Sequence, residues 1–253
     1  MKNAVKNYLN IIYPLLSLGI FILAWYVAAR IIDVEIILPT PARSLSRLGE
    51  IFITADFWAA VSNTLIRVLI SFSISLGLAI VFSVLSALFK PVYYLLSPLV
   101  IITRAVPTMS VILLSLIWFS SAITPMFIAF LIIFPMLYAS FYSAVSNIDK
   151  DLIEMSKVYN VSKKDMAVKF FVPYIMPSFL DSIRSAISLN VKLVIAAEVL
   201  AQTRDSMGVM MQRSSIFLDT PTLMAWTIAA IVLSYLFELL VKTTKTLTVR
   251  WQR

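Results

Sequence analysis

Apolar residues run along this chain in six blocks, with polar segments between them. A helix needs about 20 consecutive apolar residues to cross a hydrocarbon core roughly 30 Å thick. Ile11–Ile32, Thr64–Phe89, Tyr93–Phe119, Pro125–Val145, Tyr174–Gln202 and Pro221–Val241 each reach that length. The pattern predicts an all-α, polytopic membrane protein with about six transmembrane helices. No repeat, low-complexity tract or soluble-domain boundary interrupts it, so residues 1–253 read as one transmembrane domain. The first block follows Lys2 and Lys6 as a signal peptide would. Its apolar run is too long for that and carries Trp25 and Tyr26, so it reads as a retained helix. After Pro41, Leu45, Leu48 and Phe52 recur at helical spacing with Arg43, Arg47 and Glu50 between them. This predicts a short amphipathic helix at the interface, serving either as a lid on the bundle or as a docking surface.

The segment 146–172, between the fourth and fifth spans, is longer than adjacent antiparallel helices need. Asp149 can cap a helix over Lys150–Tyr159, with Leu152, Met155 and Tyr159 on one stripe. Asn160 stands where such a helix would end, because Asn tolerates the left-handed conformation. Ser162 with Asp165 opens a second helix in which Met166 pairs with Phe170, and Pro173 is expected to end it at Val172. Two short helices with apolar faces predict an element that seats in a groove on another protein. The plain alternative is a basic, solvated loop that only sets topology, but such a loop has no use for Met155, Phe170 and Phe171.

Ionisable residues at bilayer depth cost roughly 2.5–3.5 kcal/mol each, so they face protein or water. In the fifth span, Ser178, Asp181, Arg184, Ser185, Ser188 and Lys192 share a helical face roughly 120° wide at 100° per residue. Such a stripe lines either an aqueous path or a helix–helix seam. The first reading puts Asp181, Arg184, Ser188 and Lys192 in a translocation pathway that tolerates or prefers anions. The second pairs Asp181 with Arg184 and lets Lys192 reach the outer interface. Arg104 precedes Pro107 in an interrupted part of the third span and is a further pathway candidate. Arg67 and Glu238, near span ends, read as snorkelling or structural, and Glu198, off the stripe, as bonded to a neighbouring helix.

Composition sharpens this picture. Apolar residues make up 60% of the 253 and charged residues 13%, with mean hydropathy +0.93. A soluble domain has about 25% charged residues, so much of this exterior is solvated by lipid. There is no His and no Cys, which excludes Ser-His and Cys-His nucleophilic chemistry, His or thiolate metal sites and disulfides. The four Gly form no phosphate cradle, so any ATP used is bound by another polypeptide. The net charge of +8 follows topology. With a cytoplasmic N-terminus, the inside carries Lys2, Lys6, Lys90, Lys150, Lys157, Lys163, Lys164, Lys169, Lys242, Lys245, Arg250 and Arg253. The outside carries Arg30, Arg43, Arg47, Arg204 and Arg213. This asymmetry places both termini in the cytoplasm and makes nucleic acid the poorer partner.

The segment Glu154-Met155-Ser156, then Asn160, then Phe170-Phe171-Val172-Pro173 resembles the EAA loop (E-A-A-x3-G-x9-I-x-L-P) of permease subunits in binding-protein-dependent ABC importers. The spacing from Glu154 to Pro173 matches without a gap, while Met155, Ser156 and Asn160 replace two Ala and a Gly. Leu38-Pro39-Thr40-Pro41 resembles the family's L-P-S-P element, and Arg104-Ala105-Val106-Pro107-Thr108 its R-P-x-P-P turn. Ala196-Ala197-Glu198, Gly208, Thr220-Pro221 and Ala225-Trp226 follow its C-terminal pattern. The resemblance points to the branch associated with nitrate, sulfonate, taurine and bicarbonate uptake, which also holds permeases for vitamin precursors. It implies a type I importer fold in a bacterial inner membrane and a non-enzymatic subunit with no cofactor of its own. Its implied partners are a second permease copy (a homodimer in preference to a heterodimer), two ATPases that bind ATP and Mg, and an extracytoplasmic solute-binding protein. It assigns Glu154, Met155, Ser156, Asn160, Phe170 and Pro173 to coupling with the ATPase. A stand-alone channel or secondary carrier using the Asp181–Lys192 stripe is the competing expectation.

Overall fold

The computed structural model describes residues 2–148, 154, 155, 158, 159 and 161–248. Among them every regular element is helical. The chain forms α1 (Lys2–Ile32), α2 (Pro41–Phe52), α3 (Ala55–Leu88), α4 (Lys90–Ala105), α5 (Thr108–Trp118) and α6 (Thr124–Ser146). A turn at Lys163–Asp165 opens into a π-helical stretch, Met166–Phe171, which runs directly into α7 (Val172–Ala201). α8 (Met207–Ile216) and α9 (Thr220–Thr248) follow. The residues group into two compact units, one of Met1–Trp58 with Met210–Ala229 and one of Ala59–Val209 with Ala230–Arg253. The divisions fall inside or beside helices, not in linkers.

In the first unit, Trp25 donates its indole N–H to the Pro39 carbonyl at 3.0 Å, tying the end of α1 to the proline-rich turn. Thr40 caps α2 by accepting from the Arg43 N–H at 3.3 Å, and Pro41 sits in the first turn, where no amide hydrogen is needed. α2 is the amphipathic helix expected from the sequence, with Ser44 buried and Leu45 and Phe52 exposed. Arg47 bonds Thr222 Oγ1 at 2.7 Å and Glu50 at 2.6 Å, and lies 3.6 Å from Asp219. The bond to Glu50 is the main reason the guanidinium pKa lies above its ordinary value. Asp219 caps α9 through the Thr222 N–H at 3.2 Å. Burial pushes the Asp219 pKa up, but its bonds from Thr222 and the charge of Arg47 outweigh that and hold it below the usual value. Phe57 stacks on Trp226 at 5.1 Å.

In the second unit, α6 and α7 lie along each other, and Phe141 stacks on Phe179 at 3.9 Å. Among the described residues, four helices are long and apolar enough to cross a membrane: Ile12–Ile32, Ala55–Leu88, Thr124–Ser146 and Thr220–Thr244. Exposed Leu15, Phe21, Ile74, Leu95, Ile117 and Tyr235 give the lipid-facing surface such helices require.

Two expected spans take a different form. The third, Tyr93–Phe119, is no single rod: α4 and α5 meet at 102°. Pro107 has no N–H and drives Val106 to an extended conformation (φ −70°, ψ 131°), which breaks the helix there. The fifth exists as the 30-residue α7, about 45 Å long. It is long enough to cross, but Asp181, Arg184, Lys192 and Glu198 leave it less apolar than the other four.

The loop helix expected to end at Val172 does not end. Ser162 and Asp165 make their capping exchange, with the Asp165 N–H donating to Ser162 Oγ at 3.1 Å and that hydroxyl donating to Asp165 Oδ2 at 2.8 Å. The helix then continues through Pro173 in the first turn of α7. Proline deprives the carbonyl four residues back of its donor, and the turns before it widen into the π-helix. Glu154 and Met155 are helical and exposed. Ser156 and Asn160, with 149–153 and Lys157, lie outside the described residues.

Candidate functional site

α7 carries polar groups on two opposite faces, which have different partners. On the buried face, Asn190 Nδ2 donates to the Val68 carbonyl at 2.9 Å and to Ser71 Oγ at 3.2 Å. Two turns on, the fully buried Glu198 carboxylate receives Thr64 Oγ1 at 2.9 and 3.0 Å, Arg67 Nη1 at 2.9 Å and the Gly208 N–H at 3.2 Å. Thr64 Oγ1 also accepts from the Met207 N–H at 3.0 Å. One carboxylate therefore joins α3, α7 and the start of α8. Gly208 is required by this closeness, since an added Cβ would stand 2.5 Å from Glu198 Cβ and 2.6 Å from the Ile195 carbonyl. Glu198 thus bonds to a neighbouring helix as expected, and Arg67 is structural. Among the described residues no buried side-chain polar atom lacks a partner.

The polar stripe on the other face is divided. Arg184 pairs with Glu238 of α9 at 3.0 Å. Arg184 thus has a partner on another helix, because α9 brings a carboxylate that the wheel of α7 could not reveal. The rest of the stripe faces α6. There a cavity of about 490 Å³ is lined by Ser140, Ser178, Asp181, Ser182 and Ser185, with Met136 and Leu137. A neighbouring cavity of about 380 Å³ shares Ser140 and Ser178 and adds Ser143, Asn147 and Tyr174.

Arg104 is not part of this groove. Its guanidinium donates to the Pro135 carbonyl at 3.1 Å and lines a separate cavity of about 190 Å³ at the α4–α5 break. The α6 half of the groove was missed by sequence reasoning. Its signal was present, as Ser140, Ser143 and Asn147 recur at helical spacing within and just past an apolar span. Among the described residues no cluster of acidic side chains could hold a metal ion.

Toward the loop, Lys169 pairs with Asp165 at 2.8 Å. The bonds from Lys169 and Ser162 hold the Asp165 pKa below its ordinary value. Met155, Val158 and Tyr159 are exposed, and Phe170 is half-buried.

The family model for binding-protein-dependent transport system inner membrane components matches residues 79–250. The chain belongs to that family. This inner membrane component is similar to a probable ABC transporter permease protein of Brucella abortus (strain 2308), 25% identical over 239 residues and 94% of each chain. It is 24% identical to the taurine transport system permease protein TauC of Escherichia coli (strain K12), over 88% of this chain and 83% of TauC. It is 23% identical to the formylaminopyrimidine transport permease protein ThiX of Halalkalibacterium halodurans, over 74% of this chain and 75% of ThiX. Its fold is shared with a chain of the inward-facing MetNI methionine ABC transporter, with TM-score 0.57 and 15% identity over 74% of this chain and 91% of that one. The transport component is therefore a permease subunit, all-α and polytopic, of the class the EAA-like segment implied. A self-sufficient channel or carrier is not favoured.

Proposed function

We propose that this permease subunit forms, with a second copy of itself, the translocation pathway of an ATP-driven importer for a small polar solute. A solute-binding protein delivers the solute outside, and two ATPases, which hold the ATP and Mg, bind the segment Glu154–Pro173 in the cytoplasm. Both chain termini lie on the cytoplasmic side, as the positive-inside rule requires. Glu154, Met155, Ser156, Asn160, Phe170 and Pro173 belong to the coupling segment, and Asp181, Arg184, Ser188, Lys192 and Arg104 to helices that border or brace the pathway.

One observation carries this reading: the helical path is continuous from Lys163 through the π-stretch into α7. A push on the cytoplasmic end is delivered to the helix whose polar face lines the groove, with no loop to absorb it. ATP-driven closure would then bias the pathway between two states through contacts that differ between them. A π-helical segment is often found at functional sites, and here it lies between handle and span.

Replacing Glu154 or Phe170 with Ala tests the coupling. The expected result is loss of ATPase copurification, or hydrolysis that proceeds without uptake. Normal uptake with a normally bound ATPase would reject it.

A further inference from the structure

We infer that the cavity at the end of α1 holds the headgroup of a membrane phospholipid, one that carries a primary ammonium beside its phosphate. Its whole lining belongs to the first compact unit.

Ile12–Ile32 is long and apolar enough to cross a membrane, so its last turn stands where hydrocarbon gives way to headgroups. Trp25 and the exposed Tyr26 mark that level, as aromatic rings do at membrane interfaces. The chain then turns: the Asp33 N–H bonds the Ala29 carbonyl at 3.0 Å, and Asp33 takes the left-handed conformation at φ 47°. The following residues come back to the helix, where Trp25 holds the Pro39 carbonyl. The space left between them is about 380 Å³ and is lined by Arg30, Asp33, Glu35 and Arg43, with Leu38 and Pro39 among its apolar contacts.

Arg30 gives its Nε–H to the Tyr26 hydroxyl at 3.1 Å, and Arg43 gives its Nε–H to Glu35 Oε1 at 3.0 Å. Neither bond uses the Nη groups, whose paired hydrogens suit the oxygens of a phosphate. The Arg43 and Glu35 side chains are both 54% exposed, so water already screens the pair and a ligand can share it. Two guanidiniums and two carboxylates balance in charge. A phosphate alone would answer the first and be repelled by the second, whereas a phosphate with an ammonium answers both. The end of α1 adds the negative pole of its dipole on the ammonium's behalf. A primary ammonium brings three hydrogens to these acceptors, and a trimethylammonium brings none. The acyl chains have a surface as well, since Phe21, Leu23 and Ile31 are exposed along the last turns of α1.

The full-length chain, purified with the subunits that accompany it and stripped of lipid by detergent exchange, is titrated with dioleoyl phosphatidylethanolamine, phosphatidylcholine or phosphatidylglycerol. Native mass spectrometry resolves the first lipid bound. Phosphatidylethanolamine should bind about tenfold tighter than phosphatidylcholine, the fold-change of one charge-assisted hydrogen bond at the low end of its range. Glu35→Gln, and separately Asp33→Asn, should bring that ratio toward one and move the preference to phosphatidylglycerol, because the cations are then in excess. Arg30→Gln should weaken binding of every lipid, since the phosphate is common to them. The replaced side chains are exposed, and Asn accepts the left-handed conformation of position 33.

Equal binding of phosphatidylcholine, tighter binding of phosphatidylglycerol by the parent, or a ratio that none of these substitutions changes would overturn the proposal. So would displacement of the lipid by equimolar glycerophosphoethanolamine, which has the headgroup without the chains and would make the cavity a site for a soluble solute. Absence of lipid from the assembled protein would show that another subunit covers the end of α1, and would overturn it too.

Discussion

α7 meets α3 on one side and α6 on the other, and both meetings are polar. Toward α3, Asn190 and Glu198 sit in a closed seam where each described buried side-chain polar atom has a partner and Gly208 leaves no room for a methyl group. Toward α6, Ser140, Ser178, Ser182 and Ser185 border open cavities; the Ser182 and Ser185 hydroxyls bond the backbone of their own helix, and Ser140 meets Ser182 across the two helices. The first arrangement spends its polarity on joining helices. The second leaves polar side chains beside open space. Low dielectric makes the difference consequential, since an unpaired group is costly in the closed seam and is served by water in the open one.

The comparison can be broken most severely at Glu198. Glu198→Leu leaves Arg67, whose side chain is only 13% exposed, without its carboxylate, and loss of one partner of a buried pair costs about 3–5 kcal/mol. A collapse of folded yield and of the melting temperature in detergent is expected. A variant that melts like the parent would show that the seam is wetter than described. Gly208→Ala ranks next at about 1–3 kcal/mol, because the clash is with backbone atoms at 2.6 and 2.7 Å as well as with the side chain. Its melting temperature should fall while Glu198 is still in place. Ser182→Ala should cost under about 1 kcal/mol, because it opens a hydroxyl chain that water can repair. If Ser182→Ala destabilised as strongly as Gly208→Ala, the groove would be structural and the contrast would fail.

The smallest effect belongs to a pair outside both seams. Asp219 holds its pKa below the ordinary value, so its contribution is complete above the usual carboxylate range and disappears as pH falls through the folded value. With the Asp219 side chain 39% exposed, that contribution is about 0–1 kcal/mol. Thermal melts of the parent and of Asp219→Asn should therefore differ slightly at neutral pH and converge in acid. A gap that widened on acidification would contradict the assigned direction.

The helices themselves were readable because lipid imposes length and apolarity on every span. The amphipathic α2 and the Ser162–Asp165 cap were readable because their signals are local. The break at Pro107 was visible as a residue, but its 102° angle was not, since a proline marks where a helix fails and packing decides where the chain goes next. Pro173 misled for the same reason, as it can close one helix or sit in the first turn of the next.

The amino-acid order alone determined the membrane environment and the polar stripe on α7, because each follows from counting along one chain at helical spacing. Only the tertiary structure decided how that stripe is used. Glu238 lies 54 residues from Arg184 and Ser140 lies 42 from Ser182, so no local pattern links them. Which serines meet across helices, and that Arg184 has Glu238 for a partner, is settled when separate helices bring their side chains to the same place.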